Sequence, residues 1–84
     1  MADDRDALIA TLTEEGWEQA DASDVASIAK FVMHRTAELY AMVDGSVKLV
    51  AWGKALTYRV PFPRTAPNSV VLAAARAAVE ADDA

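Results

Sequence analysis

Acidic residues form three adjacent pairs in this sequence, Asp3–Asp4, Glu14–Glu15 and Asp82–Asp83. Two carboxylates that share acid–base catalysis need a cleft that separates their pKa values. These pairs lie in polar segments or at the ends of predicted helices, where water surrounds both side chains. We therefore interpret them as solvated charges and predict no catalytic pair.

The remaining candidates for chemistry are His34 and three glycines. His34 is the sole histidine and there is no cysteine, which excludes disulfides, thiol nucleophiles and cysteine metal ligands. No nucleophile or orienting acid accompanies His34 at catalytic spacing, and we predict that it ends a helix, where a cation suits the negative end of the dipole. Gly16, Gly45 and Gly53 are isolated and form no phosphate-binding loop. We therefore predict no enzymatic activity, no cofactor and no metal site.

The middle of the chain combines basic and aromatic residues. Residues 25–65 carry six basic and two acidic residues, whereas residues 1–24 carry one arginine and eight acidic residues, within a net charge of −5. Cations around an aromatic side chain on an open sheet suit the phosphates and bases of a single-stranded nucleic acid. The alternative is that a helix covers the tryptophan while the charged side chains extend over it. The candidate binding residues are Lys48, Trp52, Lys54 and Arg59.

A C-terminal helix offers a second candidate surface. Asn68 or Ser69 is predicted to cap this helix, which extends to about residue 81. Its polar strip is thin, and a helix that is apolar on several sides is either buried or part of an interface. Complete burial is hard to arrange in so small a domain, so one face is a candidate for self-association. That face contains Val70, Ala74, Ala77 and Ala78.

Two further helices are predicted near the N-terminus. The first spans about 4–15, with aspartates at the positive end of its dipole and Gly16 after its last turn. The second has Ser23 as its N-cap and spans about 24–34. Its apolar residues recur at helical spacing and are Val25, Ile28, Ala29 and Val32.

The segment 36–43 has two interpretations. As a helix, it continues the same apolar stripe and gives one long helix over 23–43, followed by a two-stranded hairpin. As a strand, it precedes Asp44-Gly45, a dipeptide that favours a two-residue hairpin turn. A winged helix would use a helix at 35–43, but the stripe contains no break where that fold needs a turn.

A register test favours the strand interpretation. Turns at Asp44-Gly45 and Gly53-Lys54 align the chain into cross-strand rows, one of which contains Tyr40, Leu49 and Tyr58. Eight of the nine residues on that face are apolar or aromatic, as a half-buried antiparallel sheet requires. The predicted strands are 36–43, 46–52 and 55–60. Residues 16–20 could add a short edge strand.

The predicted fold is therefore α+β, with two N-terminal helices, a three-stranded antiparallel meander and a C-terminal helix in a single domain, 1–84. A hydrophobic content of 54% with 25% charged residues predicts a folded, globular chain. No apolar run reaches the roughly 20 residues that cross a membrane, and the first residues are acidic. We therefore expect a cytoplasmic protein without membrane contact.

These features predict a non-enzymatic binding module, a small regulatory or accessory protein that contacts another protein or forms a homodimer. The alternative is nucleic-acid binding through the basic middle segment, either as a single-strand platform or in a winged-helix-like manner. Both functions require an exposed surface with a distinct charge pattern. The uneven charge distribution and the open sheet face are consistent with such a surface, so they support both functions.

Overall fold

The structure is a computed structural model that describes residues 4–21, 25–52 and 57–83. Within those ranges the chain forms two helices and five strands. Their bounds are α1 Arg5–Glu14, β1 Glu18–Ala20, β2 Ile28–His34, β3 Ala37–Met42, β4 Val47–Trp52, β5 Thr57–Phe62 and α2 Asn68–Asp83. Each strand pairs antiparallel with the next one along the chain, which gives a five-stranded meander.

Both helices pack on the same face of the sheet. From the helices, Leu8 and Leu12 of α1 and Val71 and Ala75 of α2 are fully buried in this layer. Alternate residues of the two central strands meet them, namely Ala37, Leu39, Ala41, Val47, Leu49 and Ala51. The hydrophobic core therefore lies between the helices and one sheet face, and no described helix covers the other face.

The first helix forms where the sequence predicts it. The Asp4 carboxylate accepts a hydrogen bond from the Asp6 backbone N–H at 2.9 Å, which caps the helix. After α1 the chain turns through Gly16, whose φ of 102° is one that glycine adopts readily. This turn brings Trp17 into the core, where it is 4% exposed.

The C-terminal helix is also close to its prediction, at Asn68–Asp83. The side of α2 that faces the sheet has buried residues at a spacing of four and then three positions, namely Val71, Ala75 and Ala78. Among the described residues, neither helix is long and apolar enough to cross a membrane.

The predicted second helix at 24–34 and the alternative long helix over 23–43 are both wrong. The chain forms β2 there, and the predicted cap Ser23 lies outside the described residues. β2 pairs with a strand on each side, and both of its faces are partly covered. Apolar residues therefore follow one another, as in Phe31-Val32-Met33, and their spacing alone does not distinguish a strand from a helix.

The three-stranded meander is wrong as well, because β1 and β2 extend the sheet to five strands. The predicted segments 36–43, 46–52 and 55–60 overlap β3, β4 and β5. The missed turn between β2 and β3 consists of Arg35 and Thr36, with Arg35 at a φ of 50°. It contains none of the Gly, Asn, Asp or Pro residues that mark tight turns, so the sequence carries no turn signal there.

The turn between β3 and β4 is one residue longer than predicted. The Met42 N–H donates to the Ser46 carbonyl at 2.8 Å, and Gly45 has a φ of 92°, so Met42 and Ser46 close the hairpin and three residues, 43–45, form its loop. Asp44 Oδ1 accepts hydrogen bonds from the Ser46 hydroxyl at 2.6 Å and the Ser46 N–H at 2.8 Å. These two bonds hold the turn closed and lower the pKa of the Asp44 carboxyl.

The longer turn reverses the two faces of β3. A shift of one residue moves every side chain of a strand to the opposite face. Tyr40 consequently lies opposite Lys48 and points away from the helices, so the predicted core row of Tyr40, Leu49 and Tyr58 is wrong. Leu49 instead lies between Leu39 and Val60. The second predicted turn, at Gly53-Lys54, lies outside the described residues.

Candidate binding face of the sheet

The sheet face turned away from the helices, which we call the open face, carries two rows of side chains. Strand pairing aligns each row across all five strands of the sheet. The first row is Glu18, Met33, Glu38, Val50 and Arg59. The second row is Ala20, Phe31, Tyr40, Lys48 and Pro61. Because five strands support them, these side chains have fixed neighbours and form a continuous surface.

The centre of the open face is aromatic and apolar. Phe31 and Tyr40 lie directly opposite each other on β2 and β3, and their stacked rings have centroids 4.6 Å apart. Met33 and Val50 flank this stack in the neighbouring row, and all four side chains are only half-buried. Apolar side chains that adjoin one another on a surface are typical of a contact site for another molecule.

A hydrogen bond fixes the polar group at this centre. The Tyr40 hydroxyl donates to Glu38 Oε2, two residues away on the same strand face. Burial, together with the Glu38 carboxylate, raises the pKa of Tyr40 to about 12, while the positive charge of Arg59 acts in the opposite direction. The hydroxyl therefore stays protonated at physiological pH and continues to orient the Glu38 carboxylate.

Three of the four predicted binding residues lie together on the open face. Lys48 pairs with Pro61 and Val50 pairs with Arg59, so Lys48 and Arg59 are diagonal neighbours on β4 and β5. The Cα atoms of such diagonal neighbours are about 7–8 Å apart. Trp52 is half-buried at the end of β4, diagonal to Arg59 on its other side, and no described helix covers it. Lys54 lies outside the described residues.

A depression of about 530 Å³ lies on this face. Its size is in the range of small-molecule sites, and its floor is mainly apolar. Val25, which is 46% exposed, lies at its edge. The other residues that line it are Ser27, Ile28, Glu38, Tyr40, Met42, Lys48, Val50 and Arg59. Carboxylate and cationic groups thus border the same apolar surface.

Sequence reasoning identified the basic residues of this face and missed its aromatic centre. The sequence pattern predicts a helix for Phe31 and Met33 and a core position for Tyr40. The error for Phe31 and Met33 arises because the segment that forms β2 is predicted to be helical. The error for Tyr40 arises because the turn between β3 and β4 is one residue longer than predicted. A strand interpretation of 28–34 would have placed Phe31 and Met33 on one face by simple alternation.

The residues predicted for self-association do not share one exposed surface. Val70 is 51% exposed and Ala77 is also exposed, whereas Ala74 packs partly against the core and Ala78 is 5% exposed. Self-association through α2 stays a prediction, with Val70 and Ala77 exposed and Ala74 partly accessible.

His34 ends β2 instead of a helix. Its ring lies 5.7 Å from the ring of Trp17, on the helix-covered side of the sheet. Its Nδ1 is buried without a hydrogen-bond partner. Across residues 4–21, 25–52 and 57–83, no three acidic or histidine side chains come close enough together to hold a metal ion. The strongest candidate for function is therefore the open face.

No protein-family model, curated protein or solved structure matches this chain.

Proposed function

We propose that this protein is a non-enzymatic binding module whose open face contacts another protein surface. The observation that carries the proposal is the pair of cross-strand rows, which presents aromatic and apolar residues with a few charges around them. Aromatic residues and methionine are enriched at protein interfaces, while polar groups surround the apolar centre.

The charges on the open face define the chemistry of the partner. Lys48 and Arg59 are diagonal neighbours on β4 and β5, and both are exposed. A partner that presents apolar side chains beside a carboxylate would match both the centre of the face and this basic side. Charge complementarity of this kind determines orientation and association rate more than affinity.

A photo-reactive amino acid at Val50 tests the proposal, with Ala10 as the matched control position. Val50 is at the centre of the open face, whereas Ala10 is exposed on α1 on the opposite side of the protein. After irradiation in cells, we expect discrete protein adducts from Val50 whose cross-linked peptides, sequenced by mass spectrometry, contain apolar and acidic residues. Identical adducts from both positions, or none from Val50, would contradict the proposal.

A second candidate function is binding of single-stranded nucleic acid. The Phe31–Tyr40 stack, with Trp52 at the end of β4 and two cations nearby, has the components of a stacking platform. The acidic residues Glu18 and Glu38 on the same face oppose it, as does the net charge of −5. We therefore rank it below protein contact.

A titration of labelled single-stranded DNA and RNA at low salt separates the two functions. We expect only weak binding, in the range of about 10⁻⁴ M or above that a background electrostatic attraction produces. Saturable binding below about 10 μM, weakened by roughly 1–3 kcal/mol in Trp52→Ala and lost in the Lys48→Glu, Arg59→Glu double variant, would favour nucleic acid instead.

A further inference from the structure

We propose that the occupant of the open face is the open face of a second copy of this chain, in a two-fold symmetric dimer. This inference rests on the proposed function and names the partner. The resulting assembly has four layers, helix, sheet, sheet and helix, and it buries both open faces between the two sheets.

The charge pattern across the sheet carries the argument. In the first row, the acidic Glu18 on β1 and the basic Arg59 on β5 stand at opposite ends, on the two edge strands. Both side chains are exposed. A surface with opposite charges at its two ends is self-complementary when one copy is turned end for end over the other.

A two-fold axis parallel to the strands produces that arrangement. This rotation places β1 of one copy over β5 of the other. Glu18 of each copy then faces Arg59 of the other copy, which gives two such pairs in the dimer. The same rotation brings Met33 opposite Val50 of the second copy and leaves β3 opposite β3. The two Glu38 carboxylates then lie near the axis, each hydrogen-bonded to its own Tyr40 and one strand away from Lys48 of the second copy.

An axis perpendicular to the strands gives a poorer match. It superposes each strand on its own counterpart, which places the basic strands β4 and β5 over their equivalents and Glu18 near Glu18. Like charges that face one another at close range oppose association. With the axis along the strands, the two Glu38 carboxylates near the axis are one like-charge pair against two Glu18–Arg59 pairs, whereas the perpendicular axis brings Glu18, Lys48 and Arg59 each near its own equivalent. The charge pattern therefore favours the arrangement with the axis along the strands.

The area of the open face is sufficient for a modest dimer. Five strands about 4.8 Å apart, four of them six or seven residues long and β1 only three, give a face of about 24 by 20 Å at its widest, for a rise of roughly 3.4 Å per residue. Two such faces together bury on the order of 1,000 Å², close to the lower bound for a specific interface. Interfaces of this size are typical of weak, reversible complexes, so we expect a dissociation constant in the micromolar range.

Association through the sheet edges is less favourable than association through the face. Pro61 removes a backbone donor from the edge strand β5, and the other edge strand, β1, has only three residues. Neither edge therefore offers a long ladder of hydrogen bonds to a second copy.

Sedimentation velocity and light scattering over a concentration series test the dimer. We expect the wild-type protein to be dimeric at about 100 μM. Arg59→Glu and Glu18→Arg should each raise the dimer dissociation constant by about tenfold or more, because each variant faces like charges twice per dimer. The double variant Glu18→Arg, Arg59→Glu should restore the constant to within about threefold of the wild type, since it exchanges the two charges.

Two control variants locate the interface. Arg64→Glu makes the same charge reversal on an exposed residue outside the open face, and Ala77→Glu adds a charge to the exposed side of α2. Both should remain dimeric, and far-UV circular dichroism should show that all variants are folded. A dimer that is lost in Ala77→Glu but kept in Arg59→Glu would overturn the inference in favour of α2.

The remaining outcomes separate this inference from the proposed function. A wild-type monomer at 100 μM, or a double variant that does not recover, overturns the second copy as the occupant. Adducts from Val50 to a different protein would then leave the binding module intact with another partner. Absence of any protein adduct from Val50, to itself or to others, would overturn both.

Discussion

Replacing Leu49 by alanine should lower the free energy of unfolding by about 2–5 kcal/mol. Leu49 is 1% exposed on β4 and lies opposite Leu39 on one side and Val60 on the other, beneath the helices. The substitution removes buried apolar surface and leaves a cavity that surrounding side chains fill only in part. A domain of this size has a total stability near the lower end of about 5–15 kcal/mol, so a large fraction of it depends on this one side chain.

Val50→Ala is the matched control, because Val50 is the next residue of the same strand and lies on the open face. It should cost less than about 1.5 kcal/mol, since the side chain is half-buried and is covered by no described helix. Urea denaturation followed by tryptophan fluorescence measures both variants. A larger loss in Val50→Ala than in Leu49→Ala would mean that the faces of β4 are assigned the wrong way round.

The faces of the sheet show what the sequence could and could not predict. Residues of β4 were assigned to their correct faces from alternation alone, with Leu49 inward and Lys48 and Trp52 outward. The same reasoning failed for β3, because its face depends on whether two or three residues connect it to β4. Asp44-Gly45 occurs in turns of both lengths, and only the hydrogen bond between Met42 and Ser46 distinguishes them.

The strand β2 shows a different limit. A strand whose two faces both contact other residues has no polar face, so Ile28, Phe31, Val32 and Met33 form a pattern that also fits a helix. Long-range pairing with β1 and β3 decides its conformation, and a single sequence contains no direct record of that pairing. For the same reason, the sequence does not show that Phe31 and Met33 lie on the open face.

The buried arginine of α1 was missed as well. Residues 1–24 contain eight acidic residues and Arg5, which suggests only that Arg5 offsets their charge. In the structure Arg5 is 8% exposed and connects segments that lie 40 to 63 residues away along the chain. Its role depends on tertiary contacts that no local pattern indicates.

Arg5→Ala should lower the free energy of unfolding by about 2–4 kcal/mol. Arg5 Nε donates to the Gly45 carbonyl at 2.8 Å and Nη1 donates to Asn68 Oδ1 at 2.7 Å. Nη2 donates to two further carbonyl oxygens, that of Pro63 at 3.4 Å and that of Arg64 at 3.3 Å. The guanidinium thus joins α1 to the β3–β4 turn and to the segment before α2. Alanine would leave several partly buried acceptors without a donor at once.

Two further variants show whether the fork of donors or the positive charge is responsible. Arg5→Lys keeps the charge but provides one donor group in place of a planar fork, so it should recover less than half of the loss. Arg76→Ala is the matched control. Arg76 also connects α2 to the end of α1, but its two hydrogen bonds to Glu15, at 2.9 and 2.6 Å, lie at the surface. An exposed ion pair contributes little to stability because water and salt screen it, so Arg76→Ala should have a small effect. If Arg5→Lys were as stable as the wild type, the positive charge alone would account for the contribution of Arg5, and the hydrogen bonds to the two distant loops would be of little consequence. We expect the opposite result, with the order of stability wild type, Arg76→Ala, Arg5→Lys and Arg5→Ala in urea denaturation at neutral pH.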